Sequence, residues 1–176
     1  MSATIGKKAP GFTVNDQDGK PVSLSDFKGK KLVLYFYPKD QTPGCTAEAC
    51  NLRDNYLLFQ KNGYEVLGVS TDSEKSHRNF IAKQKLPFRL LADVDKVVHE
   101  KYGTWIEKSM YGRKYMGTAR MTFIINENGI LEEIIGKVDT KNHAEQILKN
   151  TKPALTVAKP VKKVSKKAQN KSAKKK

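Results

Sequence analysis

Two cysteines five positions apart are the residues of this sequence best suited to chemistry. They are Cys45 and Cys50 of the run TPGCTAEAC, residues 42–50, which directly follows an apolar segment. Thr42 followed by Pro43 is typical of a helix start, with threonine as the N-cap and proline in the first turn. Cys45 then lies where backbone N–H groups lack intrahelical partners and the helix dipole is positive, so a thiolate is favoured over a thiol. We predict that Cys45 is a nucleophile.

The spacing between Cys45 and Cys50 sets a geometric problem. On one continuous α-helix, residues five apart are separated by about 140° of rotation and roughly 7.5 Å of rise, which places their Cα atoms about 8.6 Å apart. A disulfide needs Cα atoms within about 7 Å, so the two thiols cannot pair while the helix is intact. The residues leave two interpretations of Cys50 open. It is either a partner that reacts once the helix unwinds or a small buried helix residue, as most free cysteines are.

Length and charge predict one folded domain with a basic extension. The 176 residues carry 33 Lys and Arg against 18 Asp and Glu, a net charge of +15. Ten of those lysines and no acidic residue fall in residues 152–176, a segment without apolar periodicity. Too few apolar groups are present there to offset the entropy of ordering the chain. We therefore expect a domain over residues 1–151 and a disordered lysine-rich tail over residues 152–176.

No targeting or cofactor signal is apparent in the sequence. The first ten residues lack an apolar signal-peptide core, and no apolar run approaches the roughly 20 residues of a membrane span. We therefore expect a cytoplasmic protein without a membrane partner, where cysteines are more often catalytic than structural. His77, His99 and His143 are scattered, with no cysteine at ligand spacing, so no metal and no cofactor are predicted.

Apolar patterning predicts the elements that position the cysteines. Buried strands are expected at 31–38 and 65–70, each followed by a helix, at 43–61 and 73–85. This βαβα order implies parallel strands joined by right-handed crossovers. Hairpins are expected over 12–24, with a turn at Asp18-Gly19, and over 121–135, with a turn at Asn128-Gly129. A short strand at 89–91 and helices at 95–102 and 143–150 complete the prediction.

These elements describe an α/β protein with a thioredoxin-like fold. Its central mixed β-sheet is flanked by helices and preceded by an amino-terminal β-hairpin. Cys45 would begin the helix that follows a central strand, at the carboxyl edge where open α/β sheets place their sites.

The residues around Cys45 resemble those of the peroxiredoxins, specifically of the bacterioferritin comigratory protein or PrxQ type. In that family a proline, a threonine and the peroxide-reducing cysteine are spaced P-x3-T-x2-C, and Pro38, Thr42 and Cys45 occupy these positions. Cys50 stands where this subfamily often carries its resolving cysteine. Arg120 stands where the family's active-site arginine is expected. The resemblance covers roughly residues 5–150 and excludes the lysine-rich tail.

The resemblance implies a thiol peroxidase that reduces hydrogen peroxide and organic hydroperoxides. Cys45 would become a sulfenic acid, condense with Cys50 to a disulfide, and be regenerated by thioredoxin or a similar dithiol protein. By resemblance, Arg120 and the backbone near Gly44 would donate hydrogen bonds to the peroxide. The Thr42 hydroxyl would align the substrate, and Pro38 would shield the pocket from water. A local cysteine pair lets one chain complete the cycle, so we expect a monomer.

The lysine-rich tail admits a second function from another class. Ten lysines among Ala, Pro and Ser are suited to bind nucleic-acid phosphates without sequence preference and with a strong dependence on salt. Such a tail would tether the enzyme to DNA or RNA, or act as a nuclear address in a eukaryotic host. The alternative is an extension that adds solubility or is merely tolerated.

Overall fold

A computed structural model of the protein describes residues 3–149. The strands in this range are β1 Thr13–Asn15, β2 Pro21–Ser23, β3 Lys31–Phe36, β4 Tyr64–Ser70, β5 Arg89–Ala92, β6 Trp105–Met110, β7 Arg113–Thr118, β8 Met121–Ile125 and β9 Leu131–Ile135. The α-helices are α1 Pro43–Asp54, α2 Tyr56–Lys61, α3 Glu74–Gln84, α4 Val97–Tyr102 and α5 His143–Lys149. A short 3-10 helix, Leu24–Phe27, follows β2.

A five-stranded mixed sheet forms the centre of the fold, in the order β5-β4-β3-β8-β9. Strand β3 runs parallel to β4, which runs parallel to β5. Strand β8 is antiparallel to β3, and β9 is antiparallel to β8. At one edge Phe36, the last residue of β3, lies opposite Met121, the first residue of β8. The chain leaving β3 and the chain entering β8 therefore meet there, which brings residue 120 close to the loop that leads to α1.

The core lies on both faces of this sheet. Alternate residues of a strand point to opposite faces, so Val33 and Tyr35 pack with α1, α3 and α5 on one side. Leu34 and Phe36 pack with α4 and the 3-10 helix on the other. The prediction of a strand buried on both faces is confirmed, as is the α/β thioredoxin-like fold class. Strands β1 and β2 form the predicted amino-terminal hairpin.

The predicted helix over 43–61 is wrong in one respect, because it is two helices that meet at Asn55. This residue leaves the helical region (φ −105°, ψ 9°), and its side-chain amide donates to the carbonyl of Asn51 at 2.9 Å. Asparagine side chains compete in this way with the backbone for hydrogen bonds, which explains the break. Helix α1 therefore ends four residues after Cys50.

The hairpin formed by β6 and β7 was not predicted as strands. Its turn residues, Tyr111 (φ 51°) and Gly112 (φ 76°), both take the left-handed conformation. Two consecutive residues with positive φ match the twist of paired strands, so this is the turn expected for a two-residue hairpin loop. A tyrosine in the first position hides that signal, because a side chain at positive φ is uncommon.

Some predictions fall beyond the described part of the chain. The lysine-rich tail, residues 152–176, and the domain boundary at 151 both lie outside it and stay predictions. Within residues 3–149 no helix has the length and apolar character needed to cross a membrane. The same residues contain no group of three or more His, Cys, Asp or Glu side chains that could hold a metal ion.

Candidate active site

Cys45 lies in the first turn of α1, as its spacing from Thr42 predicted. Thr42 is the N-cap, with an extended backbone (φ −79°, ψ 153°), and Pro43 is the first helical residue. The side chain of Cys45 is buried, with 2% of its surface exposed. Negative charge on the sulfur is stabilised here by the helix terminus, whose first N–H groups have no intrahelical partners.

The guanidinium of Arg120 holds Cys45 and Glu48 side by side. Its Nη2 donates to Cys45 Sγ at 3.2 Å, and its Nη1 donates to Glu48 Oε2. Cys45 and Glu48 are three residues apart on one helix and so project from the same face. One planar cation thus bridges a sulfur and a carboxylate, a geometry that suits the fork of arginine and not the single ammonium of lysine.

A buried chain of hydrogen bonds positions the backbone that leads to Arg120. Thr118 ends β7 two residues before Arg120, and its hydroxyl lies 3.0 Å from Nε2 of His99. The Nδ1 and the backbone N–H of His99 both donate to the carboxylate of Asp93, at 2.6 and 2.8 Å. Burial alone would raise the pKa of Asp93, but these hydrogen bonds lower it below its ordinary value. All three partners are buried, so the approach to Arg120 is held rigidly.

Glu48 is a carboxyl group with no exposed surface. Burial raises its pKa from 4.5 to about 7, even though the charge and hydrogen bond of Arg120 lower it. Removing a carboxylate from water disfavours its charged form, and one cation offsets only part of that cost. Near neutral pH the carboxyl of Glu48 is therefore shared between its protonated and ionised forms.

His143 defines the surroundings of the second Glu48 oxygen. The amide nitrogen of Gln146 donates to the carbonyl of Lys137 at 2.7 Å, so its Oε1 is the atom that accepts from Nδ1 of His143 at 3.0 Å. Nε2 of His143 then accepts from the Thr122 hydroxyl at 2.8 Å. Burial lowers the pKa of this histidine to about 4, so the ring is neutral at pH 7.

The remaining oxygen of Glu48 faces this neutral ring. Oε1 lies 3.6 Å from Nε2 of His143 and has no hydrogen-bond partner among residues 3–149. Ionised Glu48 would direct an oxygen lone pair at a nitrogen lone pair, whereas a protonated carboxyl would not. The arrangement therefore adds to the effect of burial in favouring the protonated form.

Asp40 anchors the loop that carries Pro38 and Thr42. It is buried, and its carboxylate accepts from the Tyr37 hydroxyl at 2.6 Å and contacts Nδ1 of His77 at 2.8 Å. These contacts tie the loop to α3 and to the residue that directly follows β3. They fix the conformation of the short segment between β3 and α1.

The Thr42 hydroxyl has its proton committed within this loop. It donates to the carbonyl of Lys39 at 2.8 Å and makes no hydrogen bond to the first turn of α1. A hydroxyl that already donates its proton can only accept from a further ligand. Pro38 lies at the start of the same loop and is partly buried.

Gly44 leaves the space that Arg120 occupies. A Cβ atom on this residue would lie 3.3 Å from Arg120 Nη2. Apart from its chain neighbours and the nearby backbone of α1, no other described atom lies within 4 Å of it. That distance is tighter than ordinary van der Waals contact, so the guanidinium would have to shift by a few tenths of an ångström.

For the peroxide reduction that the resemblance implies, we expect Gly44→Ala to lower the rate constant by about threefold to tenfold, because misplacing a reacting group by an ångström costs about 100-fold. The rate would be measured by pre-steady-state kinetics. Gly136→Ala is the matched control, since nothing lies within 4 Å of its added Cβ and its φ is not in the left-handed region. An unchanged rate for Gly44→Ala would contradict the view that Nη2 must keep its present place.

Cys50 lies on the same unbroken helix as Cys45, and both are free thiols. Its side chain is partly buried, and Sγ donates to Oε1 of Gln84, on α3, at 3.4 Å. The structure thus shows the thiol form with α1 intact between the two cysteines.

The structure brings together only part of the predicted site. Gly44, Cys45 and Arg120 are in contact at the start of α1, which Thr42 caps, whereas Cys50 faces α3. Sequence reasoning missed the roles of Glu48, Asp40 and His143. For Glu48 the available signal was its position three residues after Cys45, on the same face of the helix. Lys108 of β6 was also missed. Burial and the nearby Arg120 cation lower its pKa while Cys45 raises it, so the unpredicted hairpin borders the site.

The fold and the site together define a class of protein. A cysteine at the start of the helix after a central strand, paired with a partly buried arginine on a thioredoxin-like sheet, is the arrangement of a thiol-dependent redox enzyme. Comparison with known proteins gives the particular family.

Residues 5–134 match the AhpC/TSA family. Peroxiredoxin Bcp of Escherichia coli is 45% identical over 143 residues, covering 81% of this chain and 92% of that protein. Peroxiredoxin Bcp of Bacillus subtilis is 43% identical over 152 residues, covering 86% and 97%. The solved structure of the Xanthomonas campestris bacterioferritin comigratory protein, described for its alkyl peroxide reduction activity, superposes with a TM-score of 0.75 at 38% identity. That superposition covers 78% of this chain and 88% of the other. The chain therefore belongs to the AhpC/TSA family, as a peroxiredoxin of the Bcp or PrxQ type, and is a thiol peroxidase.

Proposed function

We propose that the enzyme reduces hydrogen peroxide and organic hydroperoxides through a sulfenic acid at Cys45 and an intramolecular Cys45–Cys50 disulfide. The Cys45 thiolate attacks one peroxide oxygen, the O–O bond breaks, and the other oxygen leaves as water or an alcohol once it takes up a proton. The sulfur loses two electrons and becomes a sulfenic acid. Cys50 then displaces hydroxide from that sulfur, which also leaves as water.

The observation that carries this proposal is the contact between Arg120 Nη2 and Cys45 Sγ at 3.2 Å. A donor this close to the nucleophile also lies within reach of an oxygen that binds to the sulfur. Arg120, the backbone N–H groups near Gly44 and the helix terminus would stabilise charge on the leaving oxygen. The Thr42 oxygen would accept the peroxide proton and so align the O–O bond. Pro38, at the start of the same loop, would limit access of water.

Recycling requires a second dithiol. We propose that thioredoxin or a similar dithiol protein attacks the Cys45–Cys50 disulfide and restores both thiols by exchange. Cys50 is only partly buried. This supports the exchange step, because the thiol of the reductant must reach a sulfur of the disulfide. Since both cysteines lie on one helix, a monomer suffices for the cycle.

One equivalent of hydrogen peroxide added to reduced protein tests the cycle. In wild type we expect mass spectrometry to show loss of two hydrogens and a peptide joining Cys45 to Cys50. In Cys50→Ser we expect dimedone to trap a sulfenic acid at Cys45. With thioredoxin, its reductase and NADPH, wild type should turn over repeatedly and Cys50→Ser only once. A disulfide between two chains, or dimedone adducts at Cys50, would contradict the proposal.

A further inference from the structure

We infer that Asn51 fixes the point at which α1 stops unwinding, so that Cys45 moves to Cys50 during disulfide formation and Cys50 stays in place. This inference rests on the proposed cycle, in which the two thiols must meet. Their Cα atoms are about 8.6 Å apart on a regular helix and must approach within about 7 Å. Part of α1 therefore has to rearrange, and the contacts on either side of Cys50 decide which part.

Asn51, the residue after Cys50, is bound through both ends of its side-chain amide, to α5 and to the loop that precedes it. Its Nδ2 donates to the carbonyl of Lys141 at 2.9 Å, and its Oδ1 accepts from the backbone N–H of Ala144 at 2.7 Å. Ala144 is in the first turn of α5, where an N–H group has no partner within its own helix. Withdrawing Asn51 would therefore leave a buried N–H group unpaired.

The residues after Asn51 are attached to the rest of the domain as well. Arg53 Nη1 donates to the backbone carbonyl of Gln84 at 2.6 Å, a charge-assisted bond to the end of α3. Leu52, between them, is completely buried in the core on this face of the sheet. Movement of this half of α1 would break three hydrogen bonds and expose a core leucine.

The half of α1 before Cys50 is held differently. Pro43 is exposed, and Gly44, Thr46 and Ala47 are partly exposed. Cys45, Glu48 and Ala49 are buried, and Glu48 also lies 3.6 Å from Nε2 of His143. The side-chain hydrogen bonds of this half to other elements converge on one guanidinium, that of Arg120, through Cys45 and Glu48. The contact with Cys45 must be given up in any case when its sulfur enters a disulfide. The amino-terminal half is therefore the part that leaves its place with the loss of fewer hydrogen bonds to other elements.

This assigns Asn51 the role of a positioning residue for the resolving step. With Asn51 docked, Cys50 stays beside Gln84 as a fixed target for the sulfenic acid at Cys45. Without it, unwinding extends past Cys50 and the two sulfurs meet less often.

The backbone amide of Ala144 reports whether Asn51 stays docked. In wild type we expect hydrogen exchange, followed by NMR, to show this amide protected in both the reduced and the disulfide forms. In Asn51→Ala it should be unprotected in both. We also expect Asn51→Ala to form the disulfide about threefold to tenfold more slowly, as a less well-positioned thiol reacts more slowly. Its Cys45 should then be overoxidised to sulfinic acid more often at equal peroxide, while the first reaction with peroxide keeps its rate.

Asn62→Ala is the matched control, because within residues 3–149 the side chain of Asn62, the C-cap of α2, bonds only to the carbonyl of Leu58 in that helix, at 2.8 Å. It should match wild type in every measurement. Asn51→Leu keeps the branched shape of asparagine but can neither accept from Ala144 nor donate to Lys141, so it gives the same comparison if alanine destabilises the reduced protein.

The outcomes separate the inference from the cycle on which it rests. If wild type forms the Cys45–Cys50 disulfide but the Ala144 amide loses protection on oxidation, or Asn51→Ala forms the disulfide at the wild-type rate, the anchoring role is overturned and the cycle stands. If mass spectrometry finds no such disulfide in wild type, both are overturned together.

Discussion

Replacement of Arg120 by alanine is expected to lower the second-order rate constant for peroxide reduction by about 100- to 1,000-fold, the usual effect of removing one preorganised donor from a developing oxyanion. Nη2 lies 3.2 Å from the sulfur of Cys45. It is therefore placed to stabilise both the thiolate and the leaving oxygen. The rate constant would be measured by stopped-flow kinetics, and the thiolate fraction by its ultraviolet absorbance.

The two roles of Arg120 are separated by comparing these two measurements. We expect the rate constant to fall by more than the thiolate fraction does, because charge on the leaving oxygen develops only during the reaction. Arg120→Lys keeps the positive charge but lacks the two-pronged guanidinium, so its rate constant should lie between those of wild type and Arg120→Ala. Since alanine also leaves buried Glu48 without its cation, the comparison is repeated in a Glu48→Gln background. Equal losses of rate and thiolate would show that Arg120 acts on ionisation alone.

The stability of Glu48→Gln relative to wild type is expected to increase by about 3 kcal/mol as the pH rises from about 4.5 to about 7.5. The pKa of Glu48 is raised from 4.5 to about 7 on folding. Within this window the folded state binds more protons than the unfolded state, so wild type loses stability as the pH rises. The glutamine variant has no proton to lose at this position. Urea unfolding at a series of pH values measures the difference.

When wild type is measured by itself, the titration of His143 masks the pH dependence that Glu48 contributes to stability. Its pKa is lowered from 6.5 to about 4, so its contribution to stability is present above pH 6.5 and is lost as the pH falls toward 4. The slopes of Glu48 and His143 have opposite signs over nearly the same range, and only the difference between variants reveals them. Glu145→Gln, at an exposed glutamate of α5, is the control and should show no such trend. A difference for Glu48→Gln that does not change with pH would refute the burial effect.

Local patterns in the sequence predicted most of the elements that carry the site. The apolar run of β3 and the Thr42-Pro43 pair are each complete within a few residues, and both elements formed as expected. The helix after them was predicted too long, because Asn55 ends it through a side-chain hydrogen bond that propensity does not reveal. The β6–β7 hairpin was missed because a tyrosine occupies a turn position that usually takes glycine or asparagine.

The sequence by itself determined where the nucleophile lies and that its partner cannot reach it on an intact helix. Capping, the helix dipole and the spacing of Cys45 and Cys50 all act within one or two helical turns. Only the tertiary structure decided what surrounds them. Arg120 is 75 residues from Cys45, and Ala144 is 93 residues from Asn51. Such contacts depend on strand order and register, which follow from packing the whole chain around one core and are absent from any short window of it.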